Sequence, residues 1–277
     1  MTNNINDYIL DVEIKDNIWF PKTSTPASYP KDGNETFFQI EDKSFWFKHR
    51  NNCIISALNV FFPQNISFFE IGGGNGYVSS AIQKNGNNVF FVEPDIKGIL
   101  NAQKRGLENL ICASFNDIHF NENTIPAIGV FDVLEHIRND TEFIKKINSI
   151  LIHNGLLILT VPAYNFLWSS EDSHDGHFRR YSKNKLNKLL KKNGFDILYS
   201  TYFFRILPLP IFIIRTIPSL LGVKRKYIVD EYLKENKEPI GLVKKTLNFS
   251  FSKELKNIEN KKQMNFGGSI LIIAKKI

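Results

Sequence analysis

Two segments of the sequence hold residues whose types and spacing could do chemistry. The first, residues 70–76, reads Glu-Ile-Gly-Gly-Gly-Asn-Gly and is followed 17 positions later by Glu93. Glycines permit positive φ angles and let a ligand approach the backbone, and a helix that begins there points its N-terminus at that ligand. A carboxylate placed like Glu93 can accept hydrogen bonds from ribose hydroxyls. This segment therefore predicts a nucleotide site.

The second segment is a polar loop, residues 168–182, with the sequence WSSEDSHDGHFRRYS. So many polar groups are costly to hold beside a pocket unless they find partners there. We therefore favour a substrate-recognition loop over a surface loop whose arginines pair with acidic neighbours. Metal binding by His174, Asp175 and His177 is a third alternative, but their spacing fits no firm template, and we expect no resident metal.

The elements that must position these residues follow from the apolar runs. The run 66–71 ends at the glycines, a helical stretch leads to a Lys-Asn-Gly stop, and a second run, 89–92, ends at Glu93. Strand, glycine turn, helix and strand form the opening βαβ unit of a nucleotide-binding sheet. The polar loop follows the apolar run 156–161, so it lies at the carboxyl end of a strand, where open α/β sheets bind ligands.

The glycine spacing argues against a dinucleotide. The fingerprint G-x-G-x-x-G would need glycine at Tyr77 or Ser79. The pattern E-x-G-x-G-x-G fits from Glu70 to Gly76, and an acidic residue there would repel a pyrophosphate but suits a ligand that carries an ammonium and a sulfonium. On this motif, and on Asp-Val-Leu-Glu-His at 132–136, the chain resembles the class I S-adenosylmethionine-dependent methyltransferases over roughly residues 45–200.

The resemblance implies S-adenosylmethionine as the cofactor and assigns the residues that hold it. Asp132 is expected to face the methionine end. Ser114 stands where the family usually has the aspartate that places the adenine, so Phe115 and Asn116 are the expected substitutes. The complete expected cofactor set is Glu70, Gly72, Gly73, Gly74, Gly76, Glu93, Pro94, Phe115, Asn116 and Asp132.

The resemblance also implies in-line displacement at the sulfonium methyl, and a hydroxyl acceptor then needs its proton removed. A histidine with a near-neutral pKa is the natural base, so we expect His177 first and His136 second, with Asp172 orienting an imidazole or the substrate. His136 has a structural alternative, as a cap of the next helix. Similar D…GH-x-RRY loops occur in uncharacterised bacterial methyltransferases, and the expected substrate contacts are Trp46, Arg50, Trp168, Arg179, Arg180 and Tyr181.

The resemblance implies the predicted fold, an α/β, Rossmann-like doubly wound sheet of seven strands in the order 3-2-1-4-5-7-6, with the last strand antiparallel. Residues 1–50 are assigned to an N-terminal arm and aromatic lid, and 1–35 are expected to have little structure of their own. The aromatic residues 45–47 have a second interpretation, as an anchor for the N-terminal helix. The helix that follows Asn139 is expected to end at Gly155. The remaining predicted units are the cofactor-binding core 51–204, a helical cap insertion 205–263 and the returning last strand 264–277.

Residues 206–223 are strongly apolar but contain three prolines and Arg215, and Lys224, Arg225 and Lys226 follow directly. Three prolines forbid one long helix. We favour a cap whose apolar side chains are buried over the pocket. The alternative is an interfacial segment, 206–226, that rests on an anionic membrane.

Composition bounds the remaining choices. The chain has 277 residues, 23% charged, with a net charge of +7, so it is globular and an acidic partner is allowed. Cys53 and Cys112 are far apart and fit neither a zinc site nor a disulfide framework. The polar start predicts no signal peptide, and no apolar run is long enough to span a bilayer. We expect a cytoplasmic protein, with peripheral contact at the inner membrane face as the alternative.

These features together predict an enzyme, an S-adenosylmethionine-dependent methyltransferase of a small molecule. Methylation at oxygen is favoured, on a sugar, a quinone or another secondary metabolite. A nucleic-acid methyltransferase is suggested by the charge alone, because residues 131–134 read Phe-Asp-Val-Leu rather than the Asn-Pro-Pro-Tyr type of base-amine methylases. A cofactor-binding partner subunit without catalysis is disfavoured by the intact glycine motif beside the polar loop.

Overall fold

The computed structural model describes residues 4–22, 38–223 and 239–277. Nine of its strands form one mixed sheet and two form a small antiparallel pair. The strands are β1 (Ile9–Leu10), β2 (Val12–Lys15), β3 (Ile18–Pro21), β4 (Ser67–Ile71), β5 (Asn88–Glu93), β6 (Asn109–Cys112), β7 (His119–Phe120), β8 (Ile125–Phe131), β9 (Leu151–Pro162), β10 (Phe195–Phe203) and β11 (Ser269–Lys276). The large sheet has the order β10-β11-β9-β8-β4-β5-β6-β3-β2.

The predicted sheet order is confirmed for the seven core strands. These are β4, β5, β6, β8, β9, β10 and β11. If they are numbered 1 to 7 along the chain, their order in the sheet is 3-2-1-4-5-7-6. The strands β4, β5, β6, β8 and β9 are parallel. The last strand, β11, is antiparallel to both neighbours, with Ile270 opposite Val161 on one side and Tyr202 on the other. The strand order reverses between β4 and β8, the switch point at which such sheets bind ligands.

Helices cover both faces of this sheet. They are α1 (Phe45–Phe61), α2 (Tyr77–Lys84), α3 (Ile96–Lys104), α4 (Asp140–Ile150), α5 (Ser170–His174), α6 (Lys183–Lys192), α7 (Pro208–Ile211), α8 (Ile217–Leu220) and α9 (Gly241–Glu259). One face packs on α4 and α6, the other on α1, α2, α3 and α9. Successive residues of β5, such as Phe90 and Phe91, enter opposite layers. Burial on both sides explains why the core strands read as continuous apolar runs.

The N-terminal residues 9–21 contradict the expectation of an arm with little structure. The strands β2 and β3 form a hairpin, and β3 pairs in parallel with β6, with Ile18 opposite Leu110. This pairing covers the edge of β6, whose backbone groups would otherwise lack partners. Strands of four residues are too short for their periodicity to be recognised. The expectation rested on Pro21, Pro26, Pro30 and Gly33. Pro21 is the last residue of β3, and the other three lie outside the described ranges.

The strand β9 begins earlier than the sequence indicated. It follows α4 directly, with Leu151 opposite Ile125, and its regular pairing resumes at Leu156 after an irregular stretch. Gly155 therefore lies at an irregularity within a strand and does not end a helix. Glycine within a strand often marks such a bulge. The start of α4 is as predicted, because the Asn139 side chain accepts a hydrogen bond from the Glu142 N–H at 3.3 Å.

The apolar segment 206–223 is helical but poorly buried. It folds as α7, a π-helical stretch (Phe212–Thr216) and α8, and prolines occupy the first turns of α7 and α8. Leu209, Leu220 and Leu221 are 66%, 76% and 76% exposed. The expectation that these side chains are buried over a pocket is therefore wrong. Within the described ranges no helix combines the length and apolar character needed to cross a membrane. Residues 224–226 lie outside those ranges.

Candidate active site

The glycine loop turns the chain between β4 and α2. Gly72, Gly74 and Gly76 have φ angles of 71°, 59° and 74°, in the left-handed region that glycine adopts most readily. A side chain at Gly73 would lie 2.1 Å from the Phe91 ring, whereas nothing lies within 4 Å of one at Gly74. Gly74 therefore opens the loop towards a ligand, and the other three glycines are required by packing inside the protein.

Two buried carboxyl groups support this loop. Glu93 accepts hydrogen bonds from the N–H groups of Gly74, at 2.9 Å, and Asp95, at 3.0 Å. Glu70 accepts one from the hydroxyl of Ser79. Burial raises the pKa of Glu70 and of Glu93 to about 7, although these hydrogen bonds act in the opposite direction. A positive ligand beside them would favour their ionised form.

A set of residues outside the motif fixes the loop. Asn75 is buried, donates to Glu41 at 3.3 Å and accepts from Asn101 at 3.0 Å. Arg105 binds Glu41 at 3.0 Å, Asp42 at 2.9 Å and the Asn75 carbonyl at 3.1 Å. These residues carry no recognisable sequence signal, because they are scattered along the chain and form no motif.

Arg50 of α1 reaches the end of β8 and pairs with Asp132. Asp132 has a φ of 54° and also accepts a hydrogen bond from the Thr160 hydroxyl at 3.2 Å. The Arg50 guanidinium lies 4.9 Å from the centre of the Trp46 ring. Its Nε is buried and has no hydrogen-bond partner among the described residues. A buried donor in this state is costly, so the pair is a candidate contact for an additional acceptor group.

The polar loop orients His177. Asp172 is buried and lies 2.9 Å from Nδ1 of His177, and Arg180 grips the same carboxylate at 2.7 and 3.0 Å. Burial alone would raise the pKa of Asp172, but the hydrogen bonds from His177 and Arg180 outweigh it and lower the pKa to about 2. An ionised carboxylate only accepts hydrogen bonds, so Nδ1 carries the proton and Nε2 is left as the basic nitrogen.

His136 lies beside His177, with ring centres 4.6 Å apart in an edge-to-face arrangement. Crowding by protein atoms and the neighbouring His177 lower the pKa of His136 to about 4, although His136 is exposed as a residue. Glu135 is buried, and its Oε2 has no hydrogen-bond partner among the described residues. One nitrogen of each histidine and one Glu135 oxygen lie within 4.8 Å of one another. We call these three residues the imidazole cluster.

Other expected substrate contacts make bonds within the protein. Arg179 donates to Asp140 at 2.7 Å, and the Tyr181 hydroxyl donates to the same carboxylate at 2.9 Å. Arg180 is engaged with Asp172. Trp168 is half-buried at the end of a 3-10 turn that precedes α5. The polar loop therefore has features of both a substrate-recognition loop and a surface loop with paired arginines. Its arginines pair with acidic residues, while the Nε2 of His177 is available to a substrate.

Fewer of the residues expected to contact the adenine of the cofactor are accessible. The Phe115 ring is buried against Phe120 and Phe143 in the core. Asn116, beside it, is exposed, and half-buried Pro94 follows Glu93 at the end of β5. Asn116 is therefore the more accessible of the two expected substitutes for the family's aspartate.

The aromatic segment at the start of α1 is anchored to the residue after β10 and to α9. Trp46 stacks on Phe204 with ring centres 5.4 Å apart, and His49 stacks on Phe251 at 3.7 Å. His49 also lies 2.9 Å from Glu254. These contacts fit the anchor interpretation, and they hold α1 so that Arg50 reaches the site.

Residues 46–200 match the model of a methyltransferase domain, which covers more than half of the chain. The chain belongs to this methyltransferase family. The resemblance noted from the glycine motif is thereby confirmed, and S-adenosylmethionine is the cofactor. The Rossmann-like fold places the motif residues Glu70 to Gly76 at the switch point of the sheet.

Individual relatives are distant. A probable S-adenosylmethionine-dependent methyltransferase of Mycobacterium tuberculosis is 22% identical over 178 residues, which are 62% of this chain and 64% of the relative, less than two thirds of its length. Phosphoethanolamine N-methyltransferase 2 of Haemonchus contortus has a TM-score of 0.58 at 16% identity, over 93% of this chain and 61% of that one. Geranyl diphosphate C-methyltransferase of Streptomyces coelicolor has a TM-score of 0.53 at 10% identity, over 83% and 79%. At such identities these structures show the fold alone.

Proposed function

We propose that the protein transfers the methyl group of S-adenosylmethionine to a hydroxyl group of a small molecule. One arrangement carries the proposal. The glycine loop, open at Gly74, lies beside Asp132 at the switch point of the sheet, and Asp132 leads directly into the imidazole cluster. A cofactor site therefore adjoins a nitrogen that can activate an acceptor.

The residues at the strand ends fit a positively charged cofactor. Glu70, Glu93 and Asp132 place three carboxyl groups at or near the ends of the adjacent strands β4, β5 and β8, and Gly74 leaves space at the backbone. When bound, S-adenosylmethionine supplies an electrophilic methyl group on its sulfonium. Glu93 holds the ribose hydroxyls in this proposal, because the N–H groups of Gly74 and Asp95 already orient its carboxylate.

Arg50 and Asp132 suit the amino-acid end of the cofactor, which carries one carboxylate and one ammonium. The Nε of Arg50 is a buried donor in need of an acceptor, and Asp132 is an acceptor for an ammonium. Charge-assisted hydrogen bonds of this kind are about twice as strong as neutral ones. The Trp46 ring beside the guanidinium restricts its position.

His177 activates the acceptor. Its Nδ1–H donates to Asp172, so Nε2 can take the proton of a hydroxyl group as the oxygen becomes bonded to the methyl carbon. Arg180 fixes Asp172 and thereby acts as a positioning residue. His136 lies against the same ring. Since its pKa is about 4, His136 is uncharged at neutral pH and can serve as a second acceptor of hydrogen bonds in the site.

Labelled methyl transfer tests the proposal. Hydroxyl compounds, amines and nucleic acids are first ranked by thermal shift with S-adenosylhomocysteine present, since a ligand that binds the folded state raises the melting temperature. The best of each class are then incubated with S-adenosylmethionine labelled in its methyl group. We expect label in a hydroxyl compound. Label only in a nucleic acid or an amine would contradict the proposed acceptor, and cofactor binding without transfer to any class would favour a partner subunit. The fold neighbours named for phosphoethanolamine and geranyl diphosphate support a small acceptor.

A further inference from the structure

The segment 208–223 presents bulky apolar side chains to solvent. Six of them are between 53% and 76% exposed, and we call them the apolar patch: Leu209, Ile213, Ile214, Leu220, Leu221 and Val223. Single exposed apolar residues are ordinary on protein surfaces, but a concentration of this kind within fifteen residues is typical of an interaction site.

The apolar patch belongs to an element that packs on the polar loop. The hydroxyl of Thr216 donates to the carbonyl of Leu167 at 3.1 Å, and Phe212 contacts Phe166 with ring centres 6.2 Å apart. Leu167 and Phe166 immediately precede the loop that holds His177. A surface bound by the apolar patch therefore lies beside the proposed acceptor site.

The stretch of sequence that contains the apolar patch is basic, although Asp175 of the polar loop lies close enough to Arg215 to interact with it. Residues 197–229 contain five basic residues and no acidic one, and three of the basic residues, 224–226, follow Val223 directly. Basic residues beside an apolar surface are attracted to the acidic headgroups of a membrane.

We propose that the apolar patch binds the surface of an anionic lipid bilayer and that the acceptor is an amphiphile held in that surface. The short helices α7 and α8, interrupted by prolines, lie in the interface and leave the hydroxyl end of the acceptor beside His177. The part of this inference that concerns the acceptor rests on the proposed function. The membrane contact rests only on the exposure of the apolar patch and on the basic residues near it in the sequence.

Co-sedimentation of the full chain with vesicles tests the contact. One set of vesicles is phosphatidylcholine alone and the other contains phosphatidylglycerol. We expect pelleting with the anionic vesicles at low salt, and less at high salt because salt screens the basic residues. The variant Leu220→Glu/Leu221→Glu should reduce the partition coefficient on the order of tenfold or more, since it places charge in the bound face. Absence of pelleting at low salt, or pelleting that the variant does not reduce, would overturn the proposal.

A matched control separates the patch from general surface apolarity. Ile14 on the hairpin β2–β3 is 53% exposed, as are Ile213 and Ile214, and Ile14→Glu should leave vesicle binding unchanged. Light scattering tests whether the apolar patch instead binds a second copy of the chain. The proposal would also be overturned if the wild type were a dimer that did not bind vesicles and if Leu220→Glu/Leu221→Glu dissociated that dimer. Calorimetry with S-adenosylhomocysteine separates the membrane contact from the proposed function. Leu220→Glu/Leu221→Glu should bind S-adenosylhomocysteine like the wild type, so a loss of vesicle binding would not reflect a damaged cofactor site.

Discussion

The proposed site has two halves that differ in how much of their polar surface is left for a ligand. The cofactor half is the glycine loop with Glu93, and the acceptor half is the polar loop with the imidazole cluster. In the cofactor half, a short motif leaves Gly74 open, and Glu93 accepts a hydrogen bond from the Gly74 N–H. In the acceptor half, most polar residues of the loop 168–182 bind one another or their neighbours, such as Arg180 with Asp172 and Arg179 with Asp140. What remains for an acceptor there is mainly the imidazole cluster.

The difference reflects what each half must do. A glycine loop acts through backbone geometry, which residues close in sequence determine. A loop of charged side chains must first satisfy its own buried groups, because an unpaired buried charge costs several kcal/mol. In the acceptor half, therefore, residue type alone does not separate positioning residues from substrate contacts.

The largest effect is expected at His177. Substituting His177→Ala should lower kcat by about 10²–10⁴-fold, the usual contribution of a general base, and leave the affinity for S-adenosylhomocysteine nearly unchanged. Steady-state kinetics and calorimetry measure the two quantities. The neighbouring His174→Ala is the control and should change neither. Turnover that survives in His177→Ala but is lost in His136→Ala would reverse the assigned roles.

Chelation sharpens the same assignment. Because we expect no resident metal, prolonged treatment with a chelator should leave kcat at its original value. The donor atoms of Glu135, His136 and His177 lie close enough to hold a cation, so loss of activity that Mn²⁺ restores would instead identify the imidazole cluster as a metal site.

Arg180 tests whether the loop is built for its own stability. Arg180→Met removes the arginine partner of the buried Asp172 carboxylate and should lower the free energy of unfolding by about 3–5 kcal/mol, measured by denaturant titration. Arg179→Met is the matched control. Its pair with Asp140 is partly exposed, so the loss should be about 0–1 kcal/mol. An Arg180→Met protein of normal stability with a raised KM would make Arg180 a substrate contact.

The cofactor half should show its buried acids in the pH dependence of stability. Burial raises the pKa of Glu70 from 4.5 to about 7, so the folded state favours the protonated form. The free energy of unfolding then falls as pH rises from 4.5 to about 7 and levels off above it. Glu70→Gln should remove up to about 3 kcal/mol of this fall. Thermal unfolding across this range measures it, with exposed Glu142→Gln as control, and an unchanged slope in Glu70→Gln would refute the assignment.

The order of the core strands followed from the family resemblance, because pairing between distant strands is not encoded in local sequence. Sequence alone predicted the motif Glu70 to Gly76 as the cofactor site and the apolar runs as core strands, because both are local patterns. It missed Glu41, Asn75 and Arg105, because contacts between distant segments carry no spacing signal. It also missed the exposure of Leu220 and its neighbours, since apolar residues at helical spacing indicate a buried face as readily as a binding face. The strand pairing of β3 escaped because four residues give too little pattern.

Calorimetry with S-adenosylhomocysteine tests the central claim, that the open glycine loop and Glu93 hold this cofactor. We expect saturable binding by the wild type and none for NAD. Glu93→Ala should weaken the binding by about 1–3 kcal/mol, because it removes charge-assisted bonds to the ribose, while Glu108→Ala, at an exposed position on the next loop, should not. Tight NAD binding without S-adenosylhomocysteine binding, or full affinity in Glu93→Ala, would contradict the account.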